Sequence, residues 1–212
     1  MDLHQITWNK AEANNPYGLT DEEIEEFWDD VTSTVPGNHH PLIKRPFSWK
    51  LPIPGNYFAR FKPVGHNANV FFGSELFEGS VYEMAYHFMK SRAHADFPDT
   101  AVPYIGFRVE YDEAQAMNLR THPDIAQFMD KNNSTAANNF IKQTPGLRGV
   151  LYPSCRHPNN VTNAAIYQIH DIQEQAHDIQ ALTFRYNTTN KRCFLLDTNE
   201  AELFSIDWAT VS

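Results

Sequence analysis

Residues 77–93 read FEGSVYEMAYHFMKSRA, and this stretch is the most informative part of the sequence. Apolar side chains recur in it at helical spacing, which predicts an amphipathic helix. Ser80, Glu83 and His87, spaced by three and four residues, share another stripe of that helix, and His94 continues it if the helix extends that far. An acid and an imidazole on one stripe are able to line a cleft. The side expected to face the core carries Phe77, Val81, Met84, Ala85 and Phe88.

A capping box is a second interpretation of the same residues. Ser80 is followed three positions later by Glu83, the spacing at which a serine caps a helix and an acid returns the bond. In that case Glu83 is a structural residue of the first helical turn. Spacing alone favours the capping box over a site, because such motifs are common.

Short β-like runs alternate irregularly with helical patterns around this segment. The helical patterns cover about 21–33, 122–131 and 134–142, with weaker ones at 163–178. Strands mixed with helices without strict alternation predict a single α+β domain, with small mixed sheets and surrounding helices. The β-like runs cover Tyr57–Phe61, Val70–Phe72, Tyr104–Tyr111, Gly149–Tyr152, Ala181–Tyr186 and Arg192–Leu196.

A proline-rich stretch precedes these elements. Residues 36–63 hold six of the 13 prolines of the chain, and proline lacks the N–H that strand pairing and helix interiors need. We therefore expect an extended arm, and its apolar residues indicate that it packs on the body. Residues 1–55 are expected to form an N-terminal helix with this arm, and residues 56–212 the domain that holds the candidate site, together as one compact unit.

Composition limits the class of protein. The chain has 212 residues, of which 42% are hydrophobic and 20% charged, as in an ordinary globular domain. A net charge of −9 argues against binding to nucleic acid or to an anionic membrane. No apolar run approaches the roughly 20 residues of a membrane helix, and no secretory signal is visible, so we expect a cytoplasmic protein. The two cysteines lack CxxC spacing and suit a reducing compartment.

Two further segments carry candidate chemistry. Arg60 lies in YFARFKPVG, residues 57–65, and is by itself either a cross-strand ion-pair partner or an anion clamp. Ser154 lies in VLYPSCR, residues 150–156, where it is a turn residue, a nucleophile, or a substrate-binding hydroxyl helped by Arg156. The sequence contains no HExxH, P-loop or GxGxxG motif, and its ten histidines are better explained as surface residues than as metal ligands.

Taken together, these segments resemble the RES domain family, named for an Arg, a Glu and a Ser. ARFKPVG at residues 59–65 is similar to the family segment G-R-W/F-N-P-x-G. Glu83 and His87 match the helix A-x-x-E-x-x-x-H, and GVLYPSCR at residues 149–156 matches G-x-x-Y-P-S-x-R. The likeness spans about residues 57–197, in the family's order and with approximately its spacings.

The resemblance implies a fold related to ADP-ribosyltransferases and a pocket for NAD+. Members are typically toxins of bacterial toxin–antitoxin pairs that degrade NAD+ by phosphorolysis or hydrolysis, and their partner is an antitoxin with an Xre-type helix-turn-helix domain. NAD+ is then a substrate and not a resident cofactor, with inorganic phosphate as co-substrate in the first case, and no metal is implied. The alternatives are a protein ADP-ribosyltransferase and an inactive RES-like module that binds NAD or a protein.

The resemblance also suggests roles for individual residues. Glu83 would hold the ribose hydroxyls and stabilise the positive charge that develops there, as in other glycosyl transfers. Arg60 would clamp phosphate oxygens, and Ser154 would hydrogen-bond near the nicotinamide ribose. The expected NAD contacts also include Phe72, His87 and Arg156. Phe72 stands where the family has a Tyr: its ring would stack on a base or on nicotinamide, a role that needs the phenol would be lost, and the remaining alternative is a core residue of the strand.

Overall fold

A single sheet of nine strands organises the part of the chain that the computed structural model describes, which is residues 1–8, 26, 30, 32–48, 60–62, 69–92 and 101–212. The spatial order is β4-β5-β6-β2-β1-β3-β7-β8-β9. The β4–β5 pair is parallel, and the other pairs are antiparallel. The strands are β1 Asp2–Trp8, β2 Phe71–Ser74, β3 Ala101–Glu110, β4 Met117–Asn118, β5 Gly149–Pro153, β6 Thr162–Ile166, β7 His177–Asn187, β8 Arg192–Leu196 and β9 Glu202–Asp207.

The described α-helices are mostly short, and the longest contains the segment singled out above. They are α1 Pro41–Ser48, α2 Phe77–Arg92, α3 Ile125–Phe128, α4 Thr135–Gln143 and α5 Trp208–Val211. Two 3₁₀ turns, Glu113–Gln115 and Ile169–Asp171, connect strands. No helix in the described part of the chain is long and apolar enough to cross a membrane.

Both faces of the sheet are covered by apolar layers. On one face, α2 packs through Val81, Ala85 and Phe88 onto the half of the sheet that ends in β9. The same face continues over β2, β5 and β6, where Phe61 and Tyr152 belong to a cluster that also includes α3 and α4 residues. The opposite face carries a separate cluster that α1 covers. The site described below lies where α2 meets the β5–β6 half of the first face.

Most of the predicted elements are confirmed. The structure has the mixed α+β class, with one large sheet where we expected small ones. The long helix begins at Phe77 and ends at Arg92, and its predicted core side is buried or half-buried. Five of the six strand runs correspond to β2, β3, β5, β7 and β8. The relation to ADP-ribosyltransferases stays a prediction.

The prediction of an extended proline-rich arm is wrong for Pro41–Ser48, which form α1. Pro41 takes the first helical position, where the missing N–H has no intrahelical partner in any case. Pro46 lies inside the helix, and burial of Leu42 and Ile43 against the sheet offsets the bond that it removes. The predicted packing of this segment on the body is therefore right, although its conformation is helical.

Three other predictions need correction or fall outside the described residues. Residues 60 and 61 form a turn, not the end of a strand, and residues 57–59 are not described. The weak helical pattern over 163–178 is wrong, because β6 and a 3₁₀ turn occupy most of it. Of the predicted helix at 21–33, the described residues 26, 30, 32 and 33 are helical, and His94 is not described.

Four of the nine described strands, β1, β4, β6 and β9, were not predicted. β1 lies in the middle of the sheet, between β2 and β3, and pairs with β3 from Asp2↔Glu110 to Trp8↔Tyr104. The first residues of the chain therefore belong to the same unit as the candidate site.

Candidate functional site

Glu83 does not belong to a capping box. Helix α2 begins at Phe77, so Ser80 lies inside the helix, and its Oγ donates a hydrogen bond of 2.6 Å to the carbonyl oxygen of His4 in β1. The capping interpretation is wrong because the motif requires the helix to begin at Val81, directly after Ser80, and it begins four residues earlier. The bond from Ser80 instead ties α2 to the middle of the sheet.

The Glu83 carboxylate is held by two donors on one oxygen. The Ser154 hydroxyl donates to Glu83 Oε1 at 2.7 Å, and the Asn163 side-chain amide donates to the same oxygen at 2.9 Å. Ser154 follows β5 and Asn163 lies in β6, so neighbouring strands supply both donors. Bonds to an ionised carboxylate are stronger than neutral ones, and together they fix the orientation of this acid.

The Ser154 hydroxyl is fully engaged. Ser154 is 1% exposed, and its Oγ accepts the backbone N–H groups of Arg156 at 3.2 Å and His157 at 3.1 Å while it donates to Glu83. A buried hydroxyl with three partners is poorly placed to attack a substrate. Its geometry suits a residue that positions Glu83.

A strained turn presents Arg60. The next residue, Phe61, has φ 57°, in the left-handed region that bulky residues rarely adopt. Three contacts hold this turn in place. The Phe61 ring is fully buried, the Tyr167 hydroxyl donates to the Phe61 carbonyl at 3.0 Å, and the Lys62 N–H donates to Asn138 Oδ1 at 2.9 Å.

The Arg60 guanidinium contacts the turn that carries Ser154. Its Nη1 donates to Cys155 Sγ at 3.0 Å, and its Nη2 donates to the Asp130 carbonyl. Burial, followed by the charge of Glu83, raises the pKa of the Cys155 thiol. The thiol therefore stays protonated near neutral pH, where it is a hydrogen-bond partner and not a nucleophile.

His87 lies one helical turn after Glu83 and is exposed to solvent. Desolvation by the surrounding protein lowers the pKa of His87, and the charges of Arg156, Lys90 and Arg60 lower it further, against the opposing effect of Glu83. The imidazole is therefore neutral at pH 7. Three cations therefore act on His87 although the chain as a whole is acidic, which suits an anionic ligand.

The two remaining predicted residues are Phe72, which packs in an apolar cluster, and Arg156, which is bonded to the protein. Phe72 is half-buried and packs against the cluster of Phe61 and Tyr152, on the face of the sheet that carries Asn163. Arg156 is 5% exposed, and its guanidinium is bonded to two backbone carbonyls of the protein. The structure thus brings Glu83, Arg60, Ser154 and His87 together, with Phe72 on the same face and Arg156 behind them.

Sequence reasoning missed Asn163, Cys155 and Tyr167. The sequence pattern around Asn163 indicates a weak helix, which does not place this residue near Glu83. In the structure Asn163 lies in β6, and its side chain faces Glu83. Cys155 stands directly after Ser154, yet a lone cysteine carries no signal of its own. Tyr167 acts through a bond to a residue 106 positions away, which no local pattern reports.

A cavity of about 320 Å³ lies elsewhere in the described structure, beside the N-terminus of the chain. Its lining includes the carboxylates of Asp2, Glu110 and Asp112. Three acids in this lining do not suit an anionic ligand such as a diphosphate.

Comparison with protein families identifies one match. The model of the family described as the RES domain matches residues 34–188, which is more than half of the chain and includes every site residue described above. A search of curated proteins finds no match.

Proposed function

Because the chain belongs to the RES domain family, we propose that it is an enzyme that degrades NAD+ by cleaving the bond between nicotinamide and ribose. Family membership by itself indicates an enzyme that acts on NAD, since RES domains are known in NAD-related toxin systems. The finer assignment rests on the chemistry of the site. The observation that carries it is a carboxylate, Glu83, whose Oε1 accepts two hydrogen bonds and which lies one helical turn before His87, where three cations act.

Cleavage of a nicotinamide–ribose bond needs a carboxylate whose position is fixed in advance. Positive charge develops on the ribose as nicotinamide leaves, as in other glycosyl transfers. A charged group that does not have to reorient stabilises this state at little reorganisation cost. Ser154 and Asn163 both bind Oε1 of Glu83, and we assign the second oxygen, Oε2, to the ribose.

Arg60 supports binding of the diphosphate. In the described part of the chain, two of its five N–H donors bond to Cys155 and the Asp130 carbonyl, and we assign the remaining Nη hydrogens to phosphate oxygens. The strained, triply anchored turn holds this guanidinium beside Glu83. We assign Arg60 to a phosphate group of NAD+, or to an incoming inorganic phosphate.

Phe72 and His87 complete the proposed binding surface. The half-buried ring of Phe72 offers stacking area to a base or to nicotinamide, and needs no hydroxyl for that role. His87 offers a neutral imidazole beside Glu83. Its position suits a hydrogen bond to the substrate at the mouth of the cleft.

The acceptor and the partner follow from the same proposal. Water as acceptor makes the protein a glycohydrolase, and inorganic phosphate makes it a phosphorylase. An enzyme that consumes NAD+ harms its own cell unless it is restrained, so we propose a toxin paired with an Xre-type helix-turn-helix antitoxin that covers the cleft near Arg60. Expression of an active chain without harm in the absence of any partner would contradict the toxin role, but not the activity.

The test is a product analysis. Purified protein is incubated with NAD+, with and without inorganic phosphate, and the products are separated and identified. Free nicotinamide with ADP-ribose indicates hydrolysis, and ADP-ribose 1-phosphate indicates phosphorolysis. If the NAD+ carries a label on its ADP-ribose part, label retained on protein supports an ADP-ribosyltransferase instead. Intact NAD+ supports a binding module. Glu83→Gln serves as the control that any loss of NAD+ comes from this site.

A further inference from the structure

Arg156 ends the motif that the resemblance assigns to NAD+, yet the structure surrounds its guanidinium with protein. Nη1 donates to the Val211 carbonyl at 2.7 Å, and Nη2 donates to the Lys131 carbonyl at 3.0 Å. The side chain is buried, with a residue exposure of 5%. A guanidinium that grips a phosphate needs its fork facing the ligand, and this fork faces two backbone carbonyls.

The flat face of the same guanidinium lies on α2. The Arg156 Cζ is 3.5 Å from the centre of the Tyr86 ring, which is close contact for a cation on an aromatic face. The Trp208 indole from α5 is parallel to the Tyr86 ring, at 7° with centres 5.8 Å apart. Arg156, Tyr86 and Trp208 therefore link the turn after β5 with α2 and α5.

Tyr86 lies on the helical turn that carries the site. It lies between Glu83 and His87 in the sequence, and the centres of the Tyr86 and His87 rings are 5.2 Å apart. The Tyr86 ring therefore contacts His87 and shares a turn of α2 with Glu83.

The guanidiniums of Arg60 and Arg156 donate to the backbone carbonyls of two consecutive residues. Arg60 donates to the Asp130 carbonyl and Arg156 to that of Lys131, while Lys131 Nζ donates to the Ser212 carbonyl at 2.8 Å. The residues of α5 lie beyond the family match, which ends at residue 188. A segment outside the matched region therefore supports the site residues inside it.

We propose that Arg156 is a positioning residue, and that Arg156, Tyr86 and Trp208 form a clamp through which α5 holds the Glu83–His87 turn of α2 against the Ser154 turn. This inference rests on the proposed function for its kinetic consequences, although not for its geometry. Arg156 does not contact NAD+ in this arrangement. Loss of the clamp therefore lowers kcat by misplacing Glu83 and leaves the affinity for NAD+ largely intact.

The experiment compares four variants of the full chain. Arg156→Lys keeps the charge but loses the planar fork, Trp208→Ala removes the indole, and Trp208→Phe keeps a ring to stack on Tyr86. Val109→Ala is the control, because it weakens the core on the opposite face of the sheet and touches no site residue. NAD+ turnover is measured for kcat and KM, melting temperature for stability, and the histidine ring resonances by NMR for the pKa of His87.

We expect Arg156→Lys and Trp208→Ala to lower kcat about tenfold or more, with KM changed less than about threefold, and Trp208→Phe to restore most of kcat. The pKa of His87 is expected to rise in Trp208→Ala, because the released turn is more exposed to water. Val109→Ala should lower the melting temperature without either effect. If Arg156→Lys does not fold, the two Trp208 variants still decide.

Two results would overturn the clamp. A large rise in KM with kcat preserved in Arg156→Lys would show that this guanidinium binds NAD+ directly. A kcat and a His87 pKa in Trp208→Ala that match Val109→Ala would show that α5 only adds stability. If the wild type does not consume NAD+, the proposed function fails, and the His87 titration alone then supports or rejects the clamp.

Discussion

Replacement of Glu83 by Gln separates the charge of this residue from its shape. Ser154 and Asn163 both donate to Oε1, and the carbonyl oxygen of a glutamine is able to occupy the same place and accept both bonds. The glutamine NH₂ group then takes the position of Oε2. Glu83→Gln therefore keeps the hydrogen-bond arrangement of the site while it removes the negative charge.

The effect on stability follows from those two bonds. A bond to a charged group is worth about 1.5–3 kcal/mol and a neutral one about 0.5–1.5 kcal/mol, so each loses about 1 kcal/mol. The total loss is about 2 kcal/mol at most, since removing a half-buried charge also relieves desolvation. For a chain of this length that corresponds to a fall in Tm of about 4–8 °C.

The effect on catalysis is larger. At about 4 Å, with an effective dielectric constant of about 20, a carboxylate and a positive centre attract by about 4 kcal/mol. Losing most of that attraction in the transition state lowers kcat by roughly 10²–10³-fold. The KM for NAD+ should change much less, because the ribose carries little of this charge in the ground state.

The assay follows nicotinamide release at saturating NAD+ for the wild type and Glu83→Gln, with thermal unfolding of both proteins in the same buffer. Ser154→Ala is a second comparison, since it keeps the charge of Glu83 while it removes one donor to Glu83 and the acceptor of the Arg156 and His157 N–H groups. A Glu83→Gln protein with wild-type kcat and a normal melting curve would refute the role assigned to this carboxylate. A loss of kcat together with a collapse of the folded state would refute the claim that shape is preserved.

Three further predictions concern neighbouring residues. Asn163→Asp places a second carboxylate within 2.9 Å of Glu83, so the pair of acids retains a proton to higher pH. The acid limb of the kcat–pH profile should therefore move to higher pH. An acid limb at the wild-type pH would contradict the contact. Arg60→Lys should lower kcat/KM at least about tenfold, because an ammonium cannot reproduce the fork; wild-type kinetics would exclude a bidentate clamp. Phe72→Ala should lower kcat/KM for NAD+ by about 10–100-fold, as expected for the loss of a ring that stacks on a base. A lower Tm with normal turnover per folded molecule would instead show that Phe72 is a core residue. A Phe72→Tyr variant that is faster than the wild type would show that the phenol has a role.

The features that depend on residues close together in the chain could be predicted from the sequence. The period of the apolar side chains located α2 within one residue of its observed end, and short apolar runs located five strands. Motif order identified Arg60, Glu83 and Ser154, which the structure brings to one place although they are far apart in the chain. Local patterns succeed here because burial of one face dictates the spacing of apolar residues.

Local patterns also misled where tertiary contacts outweigh them. Ser80 and Glu83 have the spacing of a capping box, yet α2 begins at Phe77, since packing of its first turn on the sheet extends the helix. Prolines predicted an extended arm, yet burial of Leu42 and Ile43 supports α1. In both cases the energy of burial exceeded a local preference of about a few kcal/mol at most.

Only the tertiary structure decided which partners surround the site residues. Ser154 reaches Glu83 across 71 positions of the chain, Asn163 reaches it across 80, and Arg156 reaches the Val211 carbonyl across 55. Such bonds leave no periodic trace in the sequence, because their geometry is set by how α2, β5, β6 and α5 pack together. The identity of the acid could be inferred from a motif, but its donors and the clamp behind it depend on long-range packing.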